Sequence, residues 1–379
     1  MEVCFLASGA ELTVLAPDEF EGKTAKAVKQ VLAVKINVTV FRQRLFSEDG
    51  SEIPDDAIFA SAPVKLMIVI LDFFQTDAQH TERMISASIN NDLIELESLL
   101  KKPLNPNVRY EHGTTPLHCA AERGHVESLQ LLIEAGADKD QANVIGETPL
   151  FVAAQEGHLD VVRHLVEVGA HEDQTTNYGA TPLFIAAAEG HLDVVRHLVE
   201  VGAHKDQATN YGATPLWIAA HQGHLDVVRH LVEVGAHKDQ AANDGATPLF
   251  VAAQEGHLDV VRHLVEVGAQ IGQATNLGVT PLSIAAHRGD LEVVRHLVEV
   301  GARQNEATRD TGETALHAAA EMGHLEIVRF LIERGADSHT TARSGRTALD
   351  LASQGGHSEV VRFLAKIRSE SPSKIPRLG

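Results

Sequence analysis

The sequence has few aromatic residues and almost no cysteine. Phe, Trp and Tyr make up 4% of its 379 residues, which disfavours a bulky aromatic-walled pocket and suits thin helical layers. The two cysteines, Cys4 and Cys119, are far apart and lack the spacing of metal ligands. Together with the absence of a signal peptide, this cysteine usage predicts a reducing compartment, the cytoplasm, with the nucleus as an alternative.

Basic charge is also scarce. The chain has 32 Lys and Arg residues against 52 Asp and Glu residues, for a formal net charge of -20. Nucleic acid and anionic lipid surfaces need a basic face, so neither is an expected partner. A run of about 18 apolar residues, which a membrane span would require, is missing as well. The acidity belongs to the middle of the chain, since the formal charge is -5 over residues 1–80, -18 over 81–365 and +3 over 366–379.

A short motif, Gly-x-Thr-Pro/Ala-Leu, recurs through most of the chain. Six of the seven intervals between its glycines are 33 residues, and the interval from Gly278 to Gly312 is 34. A fixed period of this length predicts small supersecondary modules, each of which buries its apolar face against the next. The motif begins at Gly113, Gly146, Gly179, Gly212, Gly245, Gly278, Gly312 and Gly345.

Each unit carries the signals of two short helices. In the second unit, Thr148 is placed to cap a first helix that begins at Pro149, and Gly157 is placed to end it. A second helix follows and stops at Gly169, after which a polar segment, here called the finger, leads to the next glycine. The predicted buried stripe of the second helix is Leu159, Val162, Leu165 and Val166.

The full unit, for example residues 211–235, resembles the ankyrin repeat. It has that family's Thr-Pro-Leu signature at Thr214 and its Gly-His-Leu-x-Val-Val signature at Gly223. The resemblance implies a mainly α fold, a curved solenoid of helix–loop–helix modules with projecting fingers. It also implies that a protein partner binds the concave surface formed by the fingers and first helices.

The same period sets the expected domain boundaries. A small α+β head is expected at 1–75, a linker at 76–82, and a divergent N-terminal cap repeat at 83–111, where residues 84–100 have helical periodicity. A disordered tail is expected at 368–379. The eight predicted repeats span 112–144, 145–177, 178–210, 211–243, 244–276, 277–310, 311–343 and 344–367.

The head has the pattern of two strands, a helix and two further strands. Alternating apolar residues around residues 8–10 predict a hairpin, and residues 24–33 predict a helix. Strands are expected at 41–46 and 64–73. This order resembles the ubiquitin-like (β-grasp) fold, in which residues 43–46 and 55–56 match similar family residues. The chain lacks the terminal Gly-Gly of conjugated members after residue 74, so the resemblance implies a docking module or a cover for the first repeat rather than a tag.

The 22 histidines suggest metal binding, but most of them recur with the repeat. One set begins the second helices at His158, His191, His224 and His257, where the family's histidine ties up loop backbone groups. Another set lies on successive second helices, about 8–10 Å apart by helix packing, and cannot converge on one ion. No metal site is expected, although this second set could make the surface charge respond to pH. Its members are His164, His197, His230, His263 and His296.

No motif predicts catalysis. Cys119 follows His118, but adjacent helical residues point apart, and we expect Cys119 to lie in the core. Phosphate-binding Gly-rich loops, Cys-x-x-Cys and His-Glu-x-x-His are missing. We therefore expect a protein that is not an enzyme, with no cofactor and no small-molecule substrate; an unrecognised site in the head is the alternative.

Function is expected where the repeats differ, at the residue before each glycine and at the end of each first helix. Tyr178 and Tyr211 are neighbours among these fingertip residues, and exposed aromatic residues often anchor interfaces. The family's histidine after Thr-Pro-Leu is replaced by Phe151, Phe184, Trp217 and Phe250. These aromatic residues are expected to pack beneath the fingers and to replace polar bridging by apolar burial, rather than to contact a ligand. The partner-binding candidates are Ile145, Tyr178, Tyr211, Trp217, His221, Leu277, Arg288 and Met322.

The sequence thus predicts a monomeric, non-catalytic scaffold that binds a protein partner of basic or mixed charge. One alternative is an adaptor whose ubiquitin-like head docks on ubiquitin-handling machinery while the repeats hold a substrate. Another is a purely mechanical spacer. The 34-residue unit predicts one extra residue in the finger at 309–311, where the row of fingers is interrupted.

Overall fold

The chain forms two compact units, unit 1 from Met1 to Asn177 and unit 2 from Tyr178 to Gly379. Among the residues whose structure is described, no helix is both long enough and apolar enough to cross a bilayer. The computed structural model describes residues 2–5, 11–14, 23–36, 38, 40–47, 51–59, 65–70, 77–102 and 104–369.

Unit 1 begins with a four-stranded sheet and one helix. The sheet order is β2-β1-β4-β3, in which β1 runs parallel to β4 and the other two pairs are antiparallel. Helix α1 lies between β2 and β3 in the chain, so the observed order is strand, strand, helix, strand, strand, as predicted. The elements are β1 (Glu2–Phe5), β2 (Glu11–Val14), α1 (Ala25–Ile36), β3 (Gln43–Phe46) and β4 (Lys65–Ile70).

The head has a small core between α1 and the sheet. Val28 and Leu32 from the helix are fully buried with Leu45 of β3 and Ile68 of β4, and Val31 packs against them. The predicted apolar face of this helix is therefore confirmed. Burial of each such aliphatic side chain contributes about 1.5–3 kcal/mol, so this small cluster is a modest source of stability.

Polar contacts complete the head and tie it to the next helices of unit 1. The buried Lys29 ammonium lies 2.6 Å from Asp55 Oδ1, so its charge is paired. The buried Gln43 amide donates to the carbonyls of Lys29 and Val38. Arg44 Nη2 donates to the Lys101 carbonyl at 2.6 Å and thereby joins β3 to the end of a repeat helix.

The predicted strands differ from the observed ones at their ends. The strand expected at 41–46 begins at Gln43, because residues 40–42 form a 3-10 turn. The hairpin pairing of β1 and β2 is confirmed, but its turn at residues 8–10 lies outside the described residues. Residues 64 and 71–73 of the last predicted strand also lie outside them.

Helical pairs follow in both units. In unit 1 they are α2 (Ala78–Ile89), α3 (Leu93–Leu100), α4 (Pro116–Glu122), α5 (Val126–Glu134), α6 (Pro149–Gln155) and α7 (Leu159–Glu167). In unit 2 they are α8 (Pro182–Glu189), α9 (Leu192–Glu200), α10 (Pro215–Gln222), α11 (Leu225–Glu233), α12 (Pro248–Gln254), α13 (Leu258–Glu266), α14 (Pro281–Arg288), α15 (Leu291–Glu299), α16 (Ala315–Glu321), α17 (Leu325–Glu333), α18 (Ala348–Gln354) and α19 (Ser358–Ser369).

The predicted helix signals act as expected. Thr148 Oγ1 accepts from the Phe151 amide at 3.1 Å, and Pro149 occupies the first helical position, where an amide hydrogen would have no partner. Gly157 and Gly169, both with positive φ, follow the ends of α6 and α7. The caps and the stops are therefore confirmed in this repeat.

The buried face of the second helix is wider than predicted. Val161, Val162 and Leu165 of α7 are buried, whereas Leu159 and Val166 are only half-buried. The prediction missed Val161, because a single stripe presents one face to one neighbour, whereas a broader arc is needed to cover contacts on two sides. The same positions are buried in α9, α11 and α13.

The histidine that precedes most of the second helices links consecutive repeats. His257 Nε2 donates to the His221 carbonyl at 2.9 Å, and His224 Nε2 donates to the Ala188 carbonyl at 3.0 Å. These carbonyls lie near the end of the preceding repeat's first helix, where helical carbonyls lack an internal partner. The predicted backbone role is confirmed, with the acceptor in the preceding repeat. The same bond is made by His125, His158, His324 and His357.

The extra residue of the 34-residue interval lies in a finger, as predicted. In a regular finger of unit 2, the Thr209 amide donates to the Ala213 carbonyl, four residues later. In the longer finger, the Thr308 amide donates to the Glu313 carbonyl, five residues later. The insertion is therefore accommodated without a change in the flanking helices. The predicted interruption of the finger row is wrong, because the Arg309 amide still donates to the Leu277 carbonyl and the Arg343 amide to the Thr311 carbonyl.

The ends of the repeat array depart from expectation. The periodic segment 84–100 is divided into α2 and α3, because Asn91 has a positive φ and Asp92 caps the second helix. Helix α2 begins at Ala78, inside the predicted linker 76–82. At the other end α19 runs to Ser369, and the remainder of the predicted disordered tail lies outside the described residues.

Gly223 and Gly235 provide a matched test of the histidine link. Both have φ near 80°, so alanine at either position costs about 1–2 kcal/mol of backbone strain. A Cβ atom at Gly223 would lie 2.6 Å from the His257 ring, whereas one at Gly235 would meet nothing within 4 Å. We expect Gly223→Ala to lower the free energy of unfolding by about 1 kcal/mol or more beyond the loss caused by Gly235→Ala. Urea denaturation should show this as a lower midpoint for Gly223→Ala. Equal losses would contradict a structural role for the histidine link.

Candidate partner-binding surface

The fingers of unit 2 are joined to one another through their backbones. The Asn210 amide donates to the Tyr178 carbonyl and the Asn243 amide to the Tyr211 carbonyl, both at 2.9 Å. The Asn276 amide donates to the Asp244 carbonyl at 2.8 Å. Because each fingertip residue contributes its carbonyl to the next finger, its position is fixed while its side chain is left to vary.

Asparagine side chains reinforce this ladder. Asn243 Nδ2 donates to the Asn210 carbonyl and Asn276 Nδ2 donates to the Asn243 carbonyl, each at 2.9 Å. A glycine follows each fingertip residue, and the positive φ there turns the chain back toward the helix. These backbone groups of the fingers are thus paired within the chain itself.

Three of the fingertip side chains in unit 2 are large, mainly apolar and exposed. Tyr178, Tyr211 and Leu277 keep 58%, 68% and 59% of their surface accessible. Large apolar side chains of this exposure on a rigid backbone suit interface anchors, because little ordering entropy is lost when they are covered.

Unit 1 has an exposed fingertip of its own. Ile145 is 43% exposed, and its carbonyl accepts from the Asn177 amide. The preceding residue, Val144, is exposed too and was missed by the sequence analysis. Val144 occupies the position at which the next four fingers have an asparagine. A comparison of the repeats at this position would therefore have identified Val144 as a candidate.

The residue after Thr-Pro-Leu supports the following finger. In unit 1, His118 Nε2 donates to the Glu147 carbonyl at 3.0 Å, and its Nδ1 accepts from the Thr115 amide. Burial lowers the pKa of His118, with a further contribution from Arg109, while the bond to Glu147 opposes the shift. This neutral histidine is a structural bridge from one repeat to the next finger.

Trp217 makes the equivalent bridge with its indole. Its Nε1 donates to the Ala246 carbonyl at 3.0 Å, and that carbonyl also accepts from the Ala242 amide. The expectation that the aromatic residues replace polar bridging by apolar burial is therefore wrong for Trp217. It holds better for Phe151 and Phe250, which are buried beside their fingers.

Trp217 also stacks on His221 at the other end of α10. The ring centroids are 5.3 Å apart, with 24° between the planes. Both side chains remain partly exposed, so this aromatic pair belongs to the first-helix surface as well as to the packing.

Glu255 lies between two candidate residues from neighbouring repeats. Its Oε1 is 3.9 Å from His221 Nδ1 and 3.7 Å from Arg288 Nη2. The Gln254 side chain donates to the same oxygen at 2.7 Å. Glu255 therefore links the ends of α10, α12 and α14, although it was not among the predicted site residues. Because both groups are partly exposed, the ion pair of Glu255 with Arg288 adds less than about 1 kcal/mol of stability.

The remaining candidate, Met322, follows α16 and is 44% exposed. The structure thus brings His221, Trp217 and Arg288 into one network around α10, α12 and α14, whereas Met322 makes none of the contacts described for that network. Ile145 belongs to unit 1.

The residues considered for catalysis or metal binding are the Cys119 thiol and the repeated histidines. Cys119 is buried, and burial raises the pKa of its thiol to about 12, which makes it a poor nucleophile at neutral pH. Within the described ranges, no three His, Cys, Asp or Glu side chains converge as metal ligands would.

Replacing Trp217 tests the indole bridge. Trp217→Phe should lower the free energy of unfolding by about 1 kcal/mol, because the ring can be packed as Phe250 is but the bond to Ala246 is lost. Urea denaturation measures this loss, and faster hydrogen exchange at the Ala242 amide would locate it. Phe250→Leu is the matched control, since it removes ring volume without removing a hydrogen bond. Unchanged stability and exchange in Trp217→Phe would show that the bridge contributes nothing.

The chain was compared with models of known protein families. The model described as "Ankyrin repeats (3 copies)" matches residues 65–143, 83–176, 141–209, 170–242, 204–275, 249–342 and 282–373. These matches run without a break from residue 65 to residue 373, most of the chain, and they coincide with the helix pairs and fingers described above. The protein belongs to the ankyrin-repeat family.

Proposed function

We propose that this protein is a non-catalytic scaffold that holds a protein partner on the fingers and first-helix ends of unit 2. Ankyrin repeats are in general protein–protein interaction modules. The observation that carries the proposal is the pair Tyr178 and Tyr211, exposed on consecutive fingers whose backbones are already bonded to each other.

The anchors and the charges define one surface in unit 2. Tyr178, Tyr211 and Leu277 supply apolar area at the fingertips, and the Trp217–His221 pair supplies aromatic area at the first helices. Ile145 and Met322 are also proposed to bind the partner, but they do not belong to this group of residues. A preorganised surface of this kind needs little reordering on association, which favours affinity.

The proposed partner is a protein segment of basic or mixed charge. Glu189, Asp244 and Glu255 are acidic residues of the fingers and first-helix ends, and Arg288 contributes the opposite sign at one side. Complementary charge speeds encounter and fixes register more than it raises affinity. A partner segment whose basic residues face these three carboxylates, and which has one acidic residue facing Arg288, would match the charges of this surface.

Truncating the two tyrosines tests the proposal. Tyr178→Ala with Tyr211→Ala should weaken partner binding by about 30-fold or more, because each buried aromatic anchor contributes about 1–2 kcal/mol or more. The partner is first identified by affinity capture with the wild-type chain, and its dissociation constant is then measured for each variant by calorimetry.

The matched control is Val201→Ala with Val300→Ala. These valines are exposed at the ends of second helices and are neither fingertip nor first-helix residues. The control should bind as the wild type does. Full affinity of the tyrosine variant, with its melting temperature unchanged, would contradict the proposed surface.

In a second candidate function, the head binds a protein of its own. The sheet order β2-β1-β4-β3, with α1 between β2 and β3, is compatible with a ubiquitin-like head, and the family matches begin only at residue 65. In this alternative the protein is an adaptor that carries a substrate on its repeats to ubiquitin-handling machinery. Ile58, a large apolar residue exposed on the head, is the candidate contact.

Titration of the full chain with ubiquitin receptors tests the adaptor hypothesis. Saturable binding that Ile58→Glu abolishes and Tyr178→Ala leaves unchanged would support it, because the two substitutions lie on the head and on the repeats. No binding by the wild-type chain would rule it out while leaving the scaffold function intact.

A further inference from the structure

One position on the second helices changes character along unit 2. It follows the arginine of the Val-Arg-His-Leu or Val-Arg-Phe-Leu segment and is occupied by a histidine in four consecutive second helices, then by a phenylalanine in two. The histidines are His197, His230, His263 and His296, and the phenylalanines are Phe330 and Phe363.

The four histidines share an unsatisfied atom. The Nε2 atom of each is buried and has no hydrogen-bond partner within the part of the chain that the structure describes. A neutral imidazole tolerates this environment, because it carries no charge that needs solvation. A protonated ring would bury an N–H donor with nothing to accept from it, which is costly.

The phenylalanines show what this position contacts. The Arg295 guanidinium carbon lies 4.9 Å from the centroid of the Phe330 ring, and that of Arg329 lies 5.3 Å from the Phe363 ring. In both cases the arginine belongs to the preceding second helix. A second arginine, Arg334, approaches Phe330 at 4.9 Å from its own helix end. A neutral aromatic face attracts these cations.

The equivalent arginines, Arg229 and Arg262, act on two of the histidines. Burial lowers the pKa of His263, and Arg229 of the preceding second helix adds to this shift; Glu266 and Glu233 oppose it. Burial and then Arg262 lower the pKa of His296, against Glu299. The arginines act from the preceding helix, and the net shift is downward despite the carboxylates.

We propose that His263 and His296 make the packing between successive second helices of unit 2 sensitive to acid, so that protonation of these rings loosens this part of the repeat array. A neutral imidazole ring can lie beside the arginine of the preceding helix without charge repulsion. A protonated ring repels that arginine and also buries an N–H donor that has no acceptor. The last two second helices carry phenylalanine at this position, so this mechanism gives them no sensitivity to acid.

The direction of the pH effect follows from the two states. Because the folded-state pKa values lie below the ordinary histidine value of about 6.5, the unfolded chain binds protons first as the pH falls. The stability contributed by neutral His263 and His296 is present above about pH 6.5 and is lost as the pH falls through their folded-state pKa values. Each ring can change the unfolding equilibrium constant by up to about tenfold per pH unit in that window.

The double variant His263→Phe with His296→Phe tests this device in the full chain. Phenylalanine is the residue that α17 and α19 already carry at this position, so the variant should fold. Between about pH 7.5 and about pH 5.5, wild-type amides of α13 and α15 should lose protection from hydrogen exchange, after correction for the intrinsic rates. The variant should lose at least about tenfold less protection over the same range.

Phe330→His is the converse variant. It should give α17 a new loss of protection on acidification, whatever its effect on stability at neutral pH, because the ring would lie between Arg295 and Arg334. His171→Phe with His237→Phe, at two largely exposed histidines of the loops, is the control and should leave the pH dependence of α13 and α15 unchanged. The proposal is overturned if the wild type and the double phenylalanine variant lose protection equally, or if Phe330→His adds no acid sensitivity.

Discussion

The structure depends on the fact that a single repeat cannot satisfy its own backbone or cover its own apolar face. The second-helix valines need a neighbouring repeat to exclude water, the first-helix carbonyls need a histidine from the next repeat, and each fingertip carbonyl needs the next finger. These three contacts recur at the same spacing because the sequence does. Stability is therefore a property of adjacent pairs, as expected for a one-dimensional array.

This constraint separates the residues that make the fold from those free to make a function. Where the backbone is held by its neighbours, the side chain at the tip can change without structural cost, and Tyr178, Tyr211 and Leu277 are exposed there. Trp217 belongs to both groups, because its indole supports a finger while its ring stacks on His221. Glu255 likewise joins three first helices and contributes charge to the same surface.

The periodic features could be predicted from the sequence, because each repeats a local physical rule. Thr148 before Pro149 marks a helix start by local hydrogen bonding alone, and the extra residue at 309–311 had to lie in a finger, because an insertion within a helix would rotate its buried face. The contacts between repeats could not be predicted. The acceptors of Trp217 and His257 lie in neighbouring repeats, and the arginine opposite Phe330 is set by how two helices pack. The buried Val161 was missed for the same reason.

The central claim is that a protein partner is held by the fingertips and first-helix ends of unit 2, on a backbone that is rigid before binding. Oxidative footprinting of the complex measures this most directly, because tyrosine side chains report their own burial. The account predicts that Tyr178 and Tyr211 lose reactivity when the partner is bound, while Tyr110, an exposed tyrosine of unit 1, keeps it. Unchanged reactivity of Tyr178 and Tyr211 in a saturated complex would contradict the account.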